Sequence, residues 1–331
     1  TPQLNYNSLF SSFYVQDNWK LRPNLTVTYG VRYDVYKVPD ANPSSPVATS
    51  QKFAVDKNNF GPRLGVSYAL GRDQKTVVRA NGGVFYDPPQ TNTYQRALLN
   101  NGQPQYFNLS VAGSSAFAPA FPNILTALPT GYNLPVQDVT TVSPDFRTLY
   151  STNANFQVSR ELTSNMGLTA TYLFTKGTHI PIYRNINLIP NGTYLADGRP
   201  AFGSGRIDTR FNSIIMNESG ANSNYSGLNI SVRRRFAQGY EWFATYTWSH
   251  AIDDAPEQNI IDSSTTNWLS DPTSRRRDRS NSFSDRRHAL SATAVLNPTF
   301  KFYNKVLSYI ASNNLLALMF VASSGDVFNI G

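Results

Sequence analysis

Apolar and polar residues alternate strictly along several parts of the chain. Between positions 25 and 35, every odd position carries Leu, Val or Tyr, and every even position carries Thr, Gly, Arg or Asp. A period of two places each residue type on its own face of an extended strand. The same alternation recurs in 60–70, 166–175 and 241–249. We therefore predict a protein built from β-strands that have one apolar and one polar face.

The predicted strands are unusually long. An ordinary strand has about 5 to 6 residues, whereas most of these segments have 11 to 13. A strand of about 12 residues tilted by about 45° rises roughly 28 Å, which matches the hydrocarbon core of a bilayer. Strand length therefore favours a membrane-spanning sheet. The ten predicted strands are 9–21, 25–37, 59–70, 75–87, 151–162, 166–176, 225–236, 240–250, 286–297 and 312–323.

The connections between these strands alternate between short and long. Repeated loops of more than about 15 residues are uncommon in a compact domain. Short turns on one rim and long loops on the other are typical of transmembrane β-barrels, whose turns are periplasmic and whose loops are extracellular. We predict that the first strand runs inward. The short turns are 22–24, 71–74, 163–165 and 237–239, and the long loops are 38–58, 88–150, 177–224 and 251–285.

Aromatic residues concentrate toward the strand ends, where amphipathic rings suit the head-group level of a membrane. A soluble β-sandwich also favours aromatic residues in its strands, so the aromatics alone leave this alternative open. The alternation of short turns with long loops, together with the length of the strands, favours the barrel. Examples are Tyr14, Trp19, Tyr33, Tyr36, Tyr68, Phe85, Tyr86, Tyr172, Phe174, Tyr240, Trp242, Tyr246 and Trp248.

Composition narrows the chemistry. The 331 residues carry a net charge of +8, no cysteine and three histidines, with only 15% charged residues. The missing cysteine excludes disulfides, thiolate zinc sites, iron–sulfur clusters and cysteine nucleophiles. His179, His250 and His288 lack the spacing of a metal site. We expect no metal, no cofactor and no catalysis, and extended structure with hydrated loops.

Several segments, in this order, resemble the barrel of TonB-dependent outer-membrane receptors, and together they are similar to the Oar-like branch of that family. One of them is the run YVQDNWK at 14–20. The other runs are Leu25 to Tyr33, Asn59 to Gly65, Thr76 to Arg79, Gly83 to Asp87, Thr175 to His179, Asn222 to Tyr225, Ser231 to Phe236, Tyr246 to Asp254 and Asp285 to His288.

The resemblance implies an all-β, antiparallel transmembrane β-barrel in which residues 1–331 supply about ten strands of a larger barrel. Receptors of this family have 22 strands around an N-terminal plug, and the plug is absent from this sequence. Ten strands alone would leave two open edges, which a membrane protein cannot tolerate. We therefore expect 1–331 to be a partial outer-membrane β-barrel domain with long extracellular loops, an internal piece of a longer protein.

The implied function is energised import of a scarce nutrient, such as an oligosaccharide, a peptide or a metal chelate. The implied location is the bacterial outer membrane. The implied partners are outer-membrane lipid and lipopolysaccharide, the nutrient ligand, and the energy-coupling TonB complex through a missing N-terminal region. Nucleic acid is not an expected partner. A passive porin or a surface adhesin is one alternative, and a soluble β-sandwich or propeller lectin is another.

Two groups of arginines are candidate binding residues. The first falls on the inward-facing, polar side of the predicted strands and would attract an anionic substrate or hold the acidic face of a plug. These residues would equally well pair with acids such as Asp34, Asp87 and Glu241. The lumen-facing basic wall comprises Arg32, Arg63, Arg79, Arg233, Arg235 and Arg287.

The second group is a basic cluster in loop 251–285. It fits contact with lipopolysaccharide phosphate, an acidic ligand or plain solvent. The interleaved aromatics of a nucleic-acid binder are missing from it. The loop basic cluster comprises Arg275, Arg276, Arg277 and Arg279.

Overall fold

The computed structural model describes residues 4–103, 111–255, 269–297 and 314–327, together with Tyr303, Val306 and Tyr309. These residues form fourteen β-strands, the α-helix α1 (Thr91–Leu99) and two short 3-10 helices, Ala48–Ser50 and Arg275–Asp278, and Val306 and Tyr309 are also helical. The strands are β1 (Leu9–Arg22), β2 (Leu25–Lys37), β3 (Asn59–Leu70), β4 (Thr76–Tyr86), β5 (Asp138–Val142), β6 (Tyr150–Thr163), β7 (Met166–Asn185), β8 (Leu188–Tyr194), β9 (Pro200–Arg206), β10 (Ser213–Ala237), β11 (Tyr240–Asp253), β12 (Ser280–Asn281), β13 (His288–Leu296) and β14 (Leu316–Ser323).

Ten of these strands form one antiparallel meander in the order β1-β2-β3-β4-β6-β7-β10-β11-β13-β14. Each corresponds to one of the ten predicted segments, so the predicted antiparallel all-β fold is confirmed. A sandwich would place two sheets face to face, whereas these strands lie side by side in a single sheet. Within the described part of the chain, β1 and β14 each pair with one neighbour and not with each other, so the barrel is not closed.

Two strands extend well past their predicted ends. β7 continues to Asn185 instead of residue 176, and β10 begins at Ser213 instead of residue 225. The loop predicted as 177–224 is therefore shortened to 186–212 and contains the β8–β9 hairpin. The extensions lack the alternating pattern because they stand beyond the bilayer, where neither face has to be apolar. Residues 104–110 of the predicted loop 88–150 and residues 256–268 of the predicted loop 251–285 lie outside the described residues.

One face of the sheet is apolar and exposed. Directly paired residues share a face, so Val31 lies between Val15 and Pro62 on this side. Soluble proteins rarely expose a continuous apolar area of this kind, and a bilayer would cover it. The described part of the chain holds no helix that is long and apolar enough to cross a membrane. Exposed members of this face include Leu9, Phe13, Val15, Trp19, Tyr29, Val31, Phe60, Leu64, Phe156, Tyr172, Trp248, Leu318 and Phe320.

An aromatic row crosses the apolar face near the rim that carries the long loops. Phe13 pairs with Tyr33, and Tyr33 pairs with Phe60. The rings of Tyr33 and Phe60 stack with their centroids 4.5 Å apart. Trp19 and Tyr68 lie on the same face toward the short turns. We call Phe13, Tyr33 and Phe60 the outer aromatic belt, because aromatic girdles mark the head-group levels of membrane barrels.

The long connections fold into a compact unit, which we call the cap (38–58, 87–103, 111–149 and 180–221). The expected hydrated loops are therefore wrong for the buried parts of the cap, whereas residues 111–137 and 189–198 are mostly exposed, as expected. Strand β5 pairs in parallel with the first residues of β10. It uses the same edge of β10 that pairs with β11 from Ser223 onward. Three buried apolar clusters lie in the cap. The first comprises Val38, Phe53, Tyr94, Ala97, Val142 and Phe146, the second comprises Val47, Val139, Phe211 and Ile214, and the third joins Ile182 and Ala221 of the cap to Leu269.

A glycine in β3 is required by close backbone packing and provides a test of the register. A Cβ atom on the buried Gly61 would lie 2.6 Å from the carbonyl oxygen of Val84. On Gly65, four residues along the same strand face, the nearest atom would be the Cβ of Thr28 at 3.6 Å. We expect Gly61→Ala to destabilise the protein by about 1 to 3 kcal/mol and Gly65→Ala to change stability by less than about 0.5 kcal/mol. Urea unfolding of the whole protein measures both, and equal effects would contradict this register.

Candidate functional site

The polar face of the sheet holds a groove of about 510 Å³ that crosses β1 to β4, β6 and β7. Its polar side chains come from positions that alternate with the lipid-facing residues, because the side-chain period of a strand is two. Eight of its ten polar side chains are uncharged amides or hydroxyls, so the groove offers hydrogen bonds with little fixed charge. The polar members are Gln16, Thr26, Thr28, Arg63, Ser67, Arg79, Asn81, Asn153, Asn155 and Thr175.

Arg63 is held against an aromatic ring inside this groove. Its guanidinium carbon lies 4.6 Å from the centroid of Phe85, which is cation–π contact distance. The Nε atom of Arg63 is buried and has no hydrogen-bond partner. Gly83 lies directly opposite, and a Cβ atom there would approach the Cγ of Arg63 to 3.0 Å. The glycine therefore leaves the room that the arginine side chain needs.

A second inward groove, of about 320 Å³, lies nearer the short turns. Arg79, Arg233 and Arg235 line it together with Lys75. We call these four residues the inner basic groove. None of the four makes an ion pair with another described residue, although Glu161 also lines this space. The structure thus brings three of the six predicted wall arginines together, and Arg79 links this groove to the first.

Two of the predicted wall arginines lie apart from the grooves and are paired. The Nε atom of Arg32 donates to Oδ1 of Asp34 at 2.9 Å, and the hydroxyl of Ser12 donates to the same oxygen at 2.5 Å. Asp34 is only 2% exposed. Arg287 lies 3.6 Å from the Asp285 carboxylate near the cap side of β13. At these two positions the arginine pairs with a nearby acid, as in the alternative to a ligand-binding role.

The predicted loop basic cluster is partly engaged in holding the loop together. Arg275 lies 3.8 Å from the carboxylate of Asp254, at the end of β11. Arg277 lies 3.7 Å from the carboxylate of Asp271 and donates to the carbonyl oxygen of Asp197 at 2.8 Å. Arg276 and Arg279 make no ion pair with another described residue.

The histidines contact uncharged partners. Nε2 of His250 lies 2.9 Å from Oδ1 of Asn281, and Nδ1 of His288 lies 2.8 Å from the hydroxyl of Tyr246. Across the described ranges, no group of three or more His, Asp or Glu side chains is arranged to hold a metal ion.

Buried aromatic packing anchors the cap above these grooves. The ring centroid of Tyr94, in α1, lies 5.3 Å from that of Phe53 and 6.4 Å from that of Phe146. Burial raises the pKa of the Tyr94 phenol, which stays neutral at physiological pH. Elsewhere in the cap, a hydrogen bond from Arg210 lowers the pKa of Asp208. Sequence reasoning did not identify the Tyr94 cluster, because its contacts join segments that are far apart in the chain.

Several solved structures align with this chain. The outer membrane transporter YddB from Escherichia coli aligns over 96% of this chain and 38% of its own, with 10% identity and a TM-score of 0.54. The siderophore receptor PirA from Pseudomonas aeruginosa aligns over 88% and 34%, with 13% identity and a TM-score of 0.42. The FrpB iron transporter from Neisseria meningitidis aligns over 91% and 32%, with 9% identity and a TM-score of 0.48.

The chain spans well under half the length of the solved structures that it matches. No curated protein matches it. The sequence profile described as an outer membrane beta barrel domain matches residues 1–331, the whole chain. The predicted location in the bacterial outer membrane is therefore confirmed. The chain belongs to the family of outer membrane β-barrel domains.

Proposed function

We propose that this protein forms part of the barrel wall of a TonB-dependent, Oar-like receptor that imports a scarce nutrient. The observation that carries the proposal is the combination, in one wall, of a folded cap and a polar inner groove beneath it. A passive pore needs an open mouth, whereas a packed cap offers a surface that selects its ligand. The fold similarity to the transporter YddB supports the same function.

The polarity of the inner face suits a hydrophilic ligand that moves between hydrogen-bonding partners. The first groove offers amides and hydroxyls, and the inner basic groove then offers Lys75, Arg79, Arg233 and Arg235. This order favours a ligand with negative charge, such as an anionic metal chelate, an acidic oligosaccharide or an acidic peptide. Import needs binding and release, and no bond in the ligand has to break.

The open edges of the sheet bear on how the whole barrel is built. β1 and β14 each leave one row of backbone N–H and C=O groups without a strand partner in the described sheet. Unpaired backbone groups cost several kcal/mol each in hydrocarbon, as an order-of-magnitude figure. We propose that further strands complete a barrel of about 22 strands around a plug, and that the plug side of the protein engages the TonB complex.

Growth on limiting nutrients tests the proposed import. Deleting the gene in its host should remove growth on one member of a panel of ferric chelates, oligosaccharides and peptides. The whole gene should restore that growth only in cells with a functional TonB protein and a membrane potential. Restoration without TonB would indicate a passive porin, and unchanged growth on every member would contradict nutrient import.

A further inference from the structure

A pocket of about 930 Å³ lies on the outward-facing side of the wall, at the junction of β2 and the 38–58 segment of the cap. Val35 and Lys37 of β2 line it, and they share a strand face with the lipid-facing Val31 and Tyr33 because the period is two. The pocket therefore faces the surrounding membrane and not the lumen. Its lining is Val35, Lys37, Ala48, Thr49, Lys52, Phe53, Ala54, Val55, Lys57 and Pro144.

The outer aromatic belt fixes the level of this pocket in the membrane. The hydroxyl of Tyr33 donates to the carbonyl oxygen of Lys57 at 2.8 Å. Lys37 lies four residues beyond Tyr33 along β2, in the direction of the cap. Aromatic girdles lie at the head-group level, and the long connections of outer-membrane barrels are extracellular. Lys37 and Lys57 therefore lie at the head groups of the outer leaflet.

Three lysines give the pocket its positive charge. Lys37, Lys52 and Lys57 are exposed, and none of them makes an ion pair with another described residue. The nearby Asp56 is oriented toward the backbone, since its Oδ2 atom accepts from the N–H of Thr148 at 2.9 Å. The lysine ammonium groups remain available for an anionic ligand.

We propose that these three lysines bind the phosphate groups of lipopolysaccharide, the phosphorylated glycolipid of the outer leaflet. The pocket combines cationic side chains with the apolar walls of Val35, Val55 and Pro144. An amphipathic ligand matches both surfaces, because its phosphates reach the lysines while its acyl chains continue down the apolar face of β2. A soluble anion would gain nothing from the membrane-facing position. Arg275 and Arg277 of the loop basic cluster are less suited, since acidic side chains already engage them.

Native mass spectrometry of the whole protein in detergent tests this site, with purified diphosphoryl lipid A as the probe. The variant Lys37→Gln/Lys52→Gln/Lys57→Gln removes three charges from the pocket. Each lysine near an anionic membrane surface contributes a several-fold gain in affinity, so we expect lipid A binding to weaken by about tenfold or more. The matched control, Lys20→Gln/Arg22→Gln/Arg72→Gln, removes three charges from the rim of the short turns and should bind like the native protein.

Dephosphorylated lipid A distinguishes phosphate recognition from apolar contact. The native protein should bind it as weakly as the lysine variant binds the diphosphoryl form. Equal binding of both lipids by the native protein would overturn the proposal, as would equal loss in the lysine variant and the control. Heat-modifiable migration on a gel verifies that each variant is folded, and Lys52→Gln alone should give a smaller loss in the same direction.

Discussion

Lysine in place of Val31 is expected to destabilise the protein by about 2 to 4 kcal/mol, because the substitution places a charge on the lipid face near the bilayer midplane. Val31 lies at the centre of β2, between Val15 and Pro62 on the neighbouring strands. Neither neighbour can hydrogen-bond to an ammonium group. Urea unfolding of the whole protein in phospholipid vesicles, followed by tryptophan fluorescence, measures the loss.

Thr28→Lys is the matched control on the same strand. Thr28 faces the lumen, where its hydroxyl donates to Oδ1 of Asn18 at 2.6 Å. A lysine there loses one hydrogen bond but keeps its ammonium group in a polar space, so we expect a change of less than about 1 kcal/mol. Equal destabilisation by Val31→Lys and Thr28→Lys would show that the assignment of the two faces is wrong.

Truncation of Tyr94 to alanine is expected to destabilise the cap by about 3 to 5 kcal/mol, the usual range for removing a large aromatic side chain from a core. Tyr94 is 1% exposed and packs against Phe53 and Phe146. The membrane strands do not depend on these contacts. We therefore expect trypsin to cleave the cap on intact cells, at Lys52 and Arg96 among other sites, while heat-modifiable migration of the barrel is retained.

Tyr194→Ala removes the same side chain from an exposed position in β8, where Tyr194 is 74% exposed. This variant should resist trypsin like the native protein, because the truncation opens no cavity. If Tyr94→Ala also resisted cleavage, the cap would not depend on its buried aromatic cluster. If the Tyr94 variant lost the whole barrel, the cap and the strands would be one cooperative unit.

The membrane strands could be predicted from sequence because the bilayer imposes a simple rule on them. Each spanning residue faces either lipid or lumen, so the alternation of 25–35 and 59–70 gave bounds that agree with β2 and β3 within two residues. This rule applies only to residues within the membrane. The extensions of β7 and β10 lack this alternation, and the buried packing of Ile182, Ile214 and Ala221 adds to the backbone pairing that holds them in the sheet.

The cap could not be predicted for a different reason. Its cores join residues that are distant along the chain, as in the hydrogen bond from the Ser50 hydroxyl to the Thr141 hydroxyl at 3.0 Å. Helix α1 is short and lacks a side-chain cap at its first turn, so it carries little local signal. Segments rich in Asn, Ser and Pro read as hydrated loops, although tertiary contacts bury many of them.

The arginines show what the odd or even position of a residue along a strand can and cannot predict. The odd or even position of a residue along its strand puts Arg63, Arg79 and Arg233 on the face opposite the apolar one, because the face depends only on strand register. The position does not distinguish free cations from paired ones. The pairing of Arg32 with Asp34 depends on side chains two residues apart on one face, a spacing that is visible in the sequence. The hydrogen bond from Arg277 to the carbonyl oxygen of Asp197 joins separate loops and is not. The binding roles of the inner arginines remain a proposal.

Cysteine labelling on intact cells tests the central claim, an outer-membrane wall with the cap outside and the short turns inside. Single cysteines at Ser114 and Ser204, both exposed in the long connections, should react with a membrane-impermeant maleimide. Single cysteines at Asp73 and Ser164, both exposed in the short turns, should react only after the cells are broken. Labelling of the Asp73 and Ser164 positions on intact cells, with Ser114 and Ser204 protected, would contradict the account.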